Sequence, residues 1–201
     1  MIDFVVKIDV QLMYFLNVAL HNPVFDRIMP LFHDDHAWRA TLVIVFLVLV
    51  VFGGTKGKWT VVGGLMLLAL SDPISSQIIK PLVGRIRPCN VLDGIWLFKG
   101  GIWLITPEPV IEIYKSSYSF TSSHAANTSG QAIWWGLYYP KIRWYIWSLG
   151  IAIGYSRVYD GVHYPVDVFF GWVIGALCFA IIWSASQRWG PKALKTSLIQ
   201  S

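Results

Sequence analysis

The sequence predicts an all-α fold, a polytopic membrane helix bundle of about six spans, formed as one domain over residues 1–201 with its polar motifs at helix ends. Three observations carry this. Of the 201 residues, 55% are hydrophobic and only 13% charged, whereas soluble domains carry roughly 25% charged residues. Several apolar runs approach the ~20 residues that cross a bilayer. Basic residues concentrate in alternate connections, as the positive-inside rule requires. The 11 Trp, 9 Tyr and 11 Phe suit rings crowding the two membrane interfaces.

Five segments read as spans: Trp38–Phe52, Trp59–Ile79, Ala125–Tyr139, Trp144–Tyr155 and Val166–Trp183. The stretch Phe4–Leu20 carries Lys7, Asp9, Gln11 and Asn17. It is read as a sixth span, with an interfacial helix as the alternative. No cleavable leader is expected there, because a basic n-region and a small-residue cleavage site are missing. Residues 21–36 form a connection. The interval 89–119, with Gly94, Gly100, Gly101, Pro107 and Pro109, is expected to be an irregular extramembrane lobe. Cys89 and Cys178 do not form a framework, and no disulfide is expected. Net charge is +5, but without a basic run interleaved with aromatics nucleic acid is not an expected partner.

Charge assigns the sides. Lys56 and Lys58, Lys141 and Arg143, and Arg188, Lys192 and Lys195 occupy two short turns and the C-terminal tail, regions that hold no Asp or Glu. These are expected to be cytoplasmic, which leaves the opposite helix ends outside. Antiparallel threading then gathers four polar ends at that outer face. They are Lys80 to Pro88 after the second segment, Thr121-Ser122-Ser123-His124 before the third, Ser156-Arg157 after the fourth, and His163 with Asp167 at the fifth.

Lys80, Arg87 and Arg157 are cations at a membrane surface, where they require an anion. Guanidinium forks match phosphate oxygens. The third segment turns its N-terminal N–H groups, and the Ser122 hydroxyl, to the same place. His163 and Asp167 are four residues apart, within reach on one helical turn. A carboxylate on one ring nitrogen leaves the other as a nucleophile, and His124 is a candidate to protonate a leaving oxygen. No metal or other cofactor is expected, since the cations supply the charge that Mg²⁺ supplies elsewhere.

Lys80-x6-Arg87-Pro88, Ser122-x-His124 and Ser156-Arg157-x5-His163-x3-Asp167 together resemble the signature of the type 2 phosphatidic acid phosphatase family, over residues 80–167. The middle motif departs. The family's usual Pro-Ser-Gly-His is Thr121-Ser122-Ser123-His124 here. The resemblance implies that Lys80, Arg87, Arg157, Ser122 and the Ser123 backbone bind phosphate. It also implies that His163 forms a phosphohistidine, that Asp167 orients it and that His124 is the general acid. The expected protein is therefore an inner-membrane lipid phosphatase with its site facing the periplasm or exterior and its C-terminus in the cytoplasm. Candidate substrates are lipid A 1-phosphate, undecaprenyl diphosphate, phosphatidylglycerol phosphate and phosphatidic acid.

Rival readings stay open at this stage: a phosphotransferase using the same intermediate, a vanadate-type haloperoxidase pocket, or a lipid transporter. Asp160 and His163 are weighed as a metal pair with the His33–His36 cluster, which reads more simply as a solvated loop. Arg85 is expected either to touch substrate or to anchor at the interface.

Overall fold

The computed structural model describes residues 2–32, 35–106 and 117–189. His33, Asp34, the Pro107–Pro109 stretch and the basic residues Lys192 and Lys195 lie outside the described residues, as do the side chains of Asp35 and His36.

Helix α1 (Ile2–Tyr14) continues through a wider π turn over Phe15–Ala19. It is built inside out. Asp9, Met13 and Asn17, spaced four apart, are buried, while Phe4, Val5, Ile8, Leu12 and Phe15 are exposed. Polar side chains inward and apolar ones outward is the arrangement that lipid favours. A short α2 (Phe25–Ile28) and a 3₁₀ turn over Met29–Phe32 lead to α3 (Asp35–Phe52). Helix α4 (Gly54–Pro73) passes through a π turn at Ile74–Ile79 into α5 (Lys80–Val83). Pro73 removes one backbone donor from this run, and the widened turn that follows absorbs the break.

The region expected to be irregular holds a hairpin instead. Strands β1 (Trp96–Lys99) and β2 (Ile102–Ile105) pair antiparallel, with Lys99 opposite Ile102. Gly100 and Gly101 form the two-residue connection, with φ of 58° and 85°. Positive φ at both positions is what tight hairpin turns demand, and two glycines supply it without strain. The hairpin is anchored by Asn17. Its amide donates to the carbonyls of Trp96 (2.9 Å), Val158 (3.1 Å) and Tyr159 (2.7 Å), and its oxygen accepts from the Trp96 N–H at 2.8 Å.

The bundle is completed by α6 (Ser123–Tyr138), α7 (Arg143–Tyr159) and α8 (Pro165–Trp189). Helix α6 is central, packed on α8, α7 and α4. Its contact with α8 is close because both surfaces are small. A Cβ on Gly175 would stand 2.1 Å from the Ala126 carbonyl oxygen, and one on Gly171 would stand 2.5 Å from that of Ser122. Without a hydrophobic drive between helices in lipid, such backbone approach is a main source of cohesion. Cys89 and Cys178 are unpaired and lie in different buried clusters.

All five expected spans coincide with helices. Two runs, Gly54–Asn90 and Pro165–Arg188, are long and apolar enough on their own to cross a bilayer, and the apolar part of α3 is shorter, at Ala40–Phe52. Large apolar side chains are exposed on α1, α3, α4 and α8 alike, far more than a water-facing surface tolerates.

Gly175→Val should destabilise the α6–α8 contact by about 2 kcal/mol or more, since the clash is with backbone rather than a mobile side chain. Thermal unfolding of purified protein in detergent should show the drop in Tm. An unchanged Tm would mean that the helices are not in this contact.

Candidate active site

The site forms where α5 ends, α6 begins, α7 ends and α8 begins. Gly84 caps α5 with φ 63°, its N–H bonding the Lys80 carbonyl at 2.9 Å. The chain then runs extended into Arg87, as the following Pro88 favours. Residues 117–119 lie alongside, with the Ser119 N–H donating to the Arg85 carbonyl at 2.7 Å. Ser122 is the N-cap of α6, and its hydroxyl accepts from the Ala125 N–H. Its own N–H donates to the Asp167 backbone carbonyl at 3.0 Å, tying the second motif to the third.

Arg87 is buried and held in place. Nη1 donates to the Val162 carbonyl at 2.9 Å, Nη2 to Ser117 Oγ at 2.7 Å, and Nε to both the Oγ (3.0 Å) and the carbonyl (3.2 Å) of Ser117. The same Nη1 stands 3.4 Å from His163 Nε2. A guanidinium only donates, so this contact assigns the lone pair to Nε2 and the ring proton to Nδ1.

Nδ1 faces Asp167, 3.7 Å from Oδ2. The i, i+4 spacing brings the pair together as expected, but the contact is shared. The Ser119 hydroxyl donates to Oδ2 and lies 3.4 Å from Nδ1. The Tyr164 N–H adds a bond to Oδ2 at 2.8 Å. Burial, the largest influence, pushes the His163 imidazole well below the usual histidine range. Arg87 and Lys80 act the same way, and Asp167 opposes them. The ring is therefore neutral at physiological pH, with an unprotonated nitrogen turned towards a fixed cation.

Arg157 is buried, donating through Nη2 to the Phe32 carbonyl at 2.7 Å and standing 3.9 Å from Asp160 Oδ2. Lys80 and His124 are each partly exposed, Lys80 at the start of α5 and His124 on the first turn of α6. Lys80 is within electrostatic range of Arg87, Asp72 and Asp167. Ser123 turns its hydroxyl to Ser75 on α4 at 3.1 Å, and Thr121 Oγ1 meets the same Ser75 hydroxyl at 2.9 Å. The two residues that depart from the family's middle motif are thus engaged by one serine. Among the described residues, no group of three or more His, Cys, Asp or Glu is placed to hold a metal ion.

Arg85, expected to touch substrate or to anchor at the interface, is engaged within the protein on three sides. Nη1 pairs with Asp167 Oδ1 at 2.7 Å, Nη2 with Asp9 Oδ2 at 2.5 Å, and the guanidinium lies over the Tyr164 ring at 3.8 Å. Asp9 in turn accepts from the Val166 N–H at 2.9 Å. Sequence reasoning missed Asp9, Ser117 and Ser119. Asp9 did carry a signal, an acid within an apolar stretch; the serines carried none beyond polarity.

The family described as the PAP2 superfamily matches residues 57–191. Among curated proteins, the lipid A 4'-phosphatase of Bacteroides thetaiotaomicron is 30% identical over 183 residues, 87% of this chain and 75% of that protein. The undecaprenyl-diphosphatase of Sulfolobus acidocaldarius is 34% identical over 107 residues, 51% of this chain and 44% of that protein. Among solved structures, Aquifex aeolicus LpxE superposes with a TM-score of 0.67 at 23% identity, over 87% of this chain and 94% of that one.

Arg85→Ala strands two carboxylates, and should cost about 3 kcal/mol. Arg85→Lys should recover only part of this, because one ammonium cannot fork between Asp9 and Asp167. Unfolding of the two variants side by side checks it; equal stability of Arg85→Ala and wild type would show that the triad contributes nothing.

Proposed function

The chain belongs to the PAP2 superfamily, and we propose that it is an integral membrane lipid phosphatase acting through a phosphohistidine on an envelope lipid. The observation that carries this reading is the orientation of His163, whose Nε2 faces Arg87 while Nδ1 faces Asp167 and Ser119. The named activities of the relatives, on lipid A and on undecaprenyl diphosphate, support a lipid phosphate or diphosphate as substrate.

The reaction runs in two displacements. His163 Nε2 attacks phosphorus as the bond to the leaving oxygen breaks, and His124 gives that oxygen its proton. Water then attacks the phosphohistidine, giving up a proton to His124 and releasing inorganic phosphate with the imidazole restored. Lys80, Arg87, Arg157, the Ser122 hydroxyl and the Ser123 N–H hold the equatorial oxygens. Asp167 keeps the proton on Nδ1 and stabilises the ring as positive charge develops. These cations do the electrostatic work, so the reaction is metal-independent.

The chain makes about six spans in this reading, with α1 counted among them. The turns at Lys56–Lys58 and Lys141–Arg143 lie in the cytoplasm together with the C-terminus, and the site opens to the periplasm or exterior. A lipid keeps its tails in the bilayer while its phosphate enters between the helix ends.

His163→Gln should abolish phosphate release from lipid substrates while lipid binding persists, and wild-type turnover should survive EDTA. Release by the variant at the original rate would rule out the nucleophile, and metal-reversible loss in EDTA would rule out the metal-free mechanism. A cysteine introduced at Gly94 should react with a membrane-impermeant reagent in intact cells, and one at Lys141 should not; the opposite pattern would invert the topology.

A further inference from the structure

Helices α4 and α6 share a polar seam that leads away from the proposed phosphate site, its Asp72 close enough to act electrostatically on Lys80. Asp72 sits two turns before Lys80, about 12 Å along the helix, as the one charged residue in a run of apolar residues (Leu67, Leu68, Leu70, Ile74, Ile78) and small or neutral polar ones (Ser71, Ser75, Ser76, Gln77). Its side chain is exposed. Across the seam is Asn127, one turn into α6 from His124. Ser71 Oγ shares its one proton between the Leu67 carbonyl (2.7 Å) and Asn127 Oδ1 (2.6 Å), and Asn127 Nδ2 faces Asp72 Oδ1 at 3.4 Å.

An exposed carboxylate beside an apolar span is unfavourable unless something polar meets it. It is also the wrong sign for the anion that Lys80, Arg87 and Arg157 attract. Its position suggests what it meets. If His124 protonates the leaving oxygen, the next atoms of the leaving group extend from His124 along α6 towards the bilayer, and Asn127 is about 4.5 Å further along that axis. Asp72 then accepts, and Asn127 donates or accepts, at the first part of the leaving alcohol.

We propose that Asp72 and Asn127 form a leaving-group subsite that selects lipids whose alcohol carries hydrogen-bond donors, hydroxyl or amide N–H, next to the phosphate. The same carboxylate disfavours a leaving group that is itself a phosphate, because like charges at such separations repel. This rests on the phosphatase reading above and deepens it. Lipid monophosphates with a glycerol or sugar headgroup are preferred over phosphatidic acid, which offers no donor there, and over polyprenyl diphosphates.

The experiment compares wild type, Asp72→Asn and Asn127→Ala, purified in detergent and reconstituted, by kcat/KM for phosphate release. The substrates are phosphatidylglycerol phosphate, lipid A 1-phosphate, phosphatidic acid and undecaprenyl diphosphate. Asp72→Asn keeps shape and removes charge. It should lower the ratio of donor-bearing substrates to phosphatidic acid about tenfold, the scale of one hydrogen bond to a charged group, and should raise undecaprenyl diphosphate relative to phosphatidic acid. Asn127→Ala should lower the first ratio without raising the second. A fall confined to the glycerol lipid or to the sugar lipid identifies which headgroup the subsite takes. Ratios unchanged in both variants, or all four substrates shifted in parallel, overturn the subsite while leaving the phosphatase reading intact. Wild-type protein that releases phosphate from none of them removes that reading, and this proposal with it.

Discussion

One guanidinium ties the motif-bearing end of the bundle together. Arg85 lies between Asp9 of α1 and Asp167 of α8, and it belongs to the segment that carries Arg87 two residues later. Three parts of the chain that are remote in sequence are thereby fixed relative to one another. A buried ion pair is weak evidence for stability, because desolvation offsets the Coulomb gain. Its value here is geometric. Asp167 accepts from Arg85, Ser119 and the Tyr164 backbone at once, so the carboxylate that faces His163 cannot turn away. The α1 helix follows from the same constraint, since Asp9 has a partner only if that helix stands against α8 with its polar face inward.

Part of the candidate site was legible in the sequence, and the reason is chemical. Membrane helices carry few charges, so Lys80, Arg87, Arg157, His163 and Asp167 stood out against an apolar background, and alternate threading placed them at one face. The five apolar segments were legible for the same reason, and every one of them is helical. Their ends were less so. Helix α4 runs on through a π turn to Val83 because the segment around Lys80 packs as helix even after Pro73, and hydropathy does not report that.

What was not legible depended on partners distant in the chain. The glycines and prolines of the interval 89–119 point to irregular structure, yet Gly100-Gly101 between Trp96–Lys99 and Ile102–Ile105 is a hairpin turn signal. The signal was masked by the surrounding apolar residues, which resemble interfacial packing. Ser117 and Ser119 have no local pattern at all. Their roles exist only because residues 117–119 return beside Arg85 and Arg87, a non-local pairing that periodicity cannot reveal. Arg85 was visible as a charge, but its meaning required Asp9, which is 76 residues away.

The middle motif joins these two levels. Where its family places Pro and Gly, this chain has Thr121 and Ser123, and both hydroxyls meet Ser75 on α4. A glycine at position 123 would remove the Ser123 contact with Ser75 and leave the Thr121 contacts with it. Ser75 adds a tether on the opposite side from α8, one turn from Ser71, whose hydroxyl meets both the Leu67 carbonyl and Asn127. The start of α6 is consequently braced between two helices, and the hydroxyl that replaces a hydrogen at position 123 is turned towards α4. The departure from the family pattern and the polar seam between α4 and α6 are thus parts of one network, and a change at Ser75 would act on both the N-terminus that faces the proposed phosphate site and the surface that leads away from it.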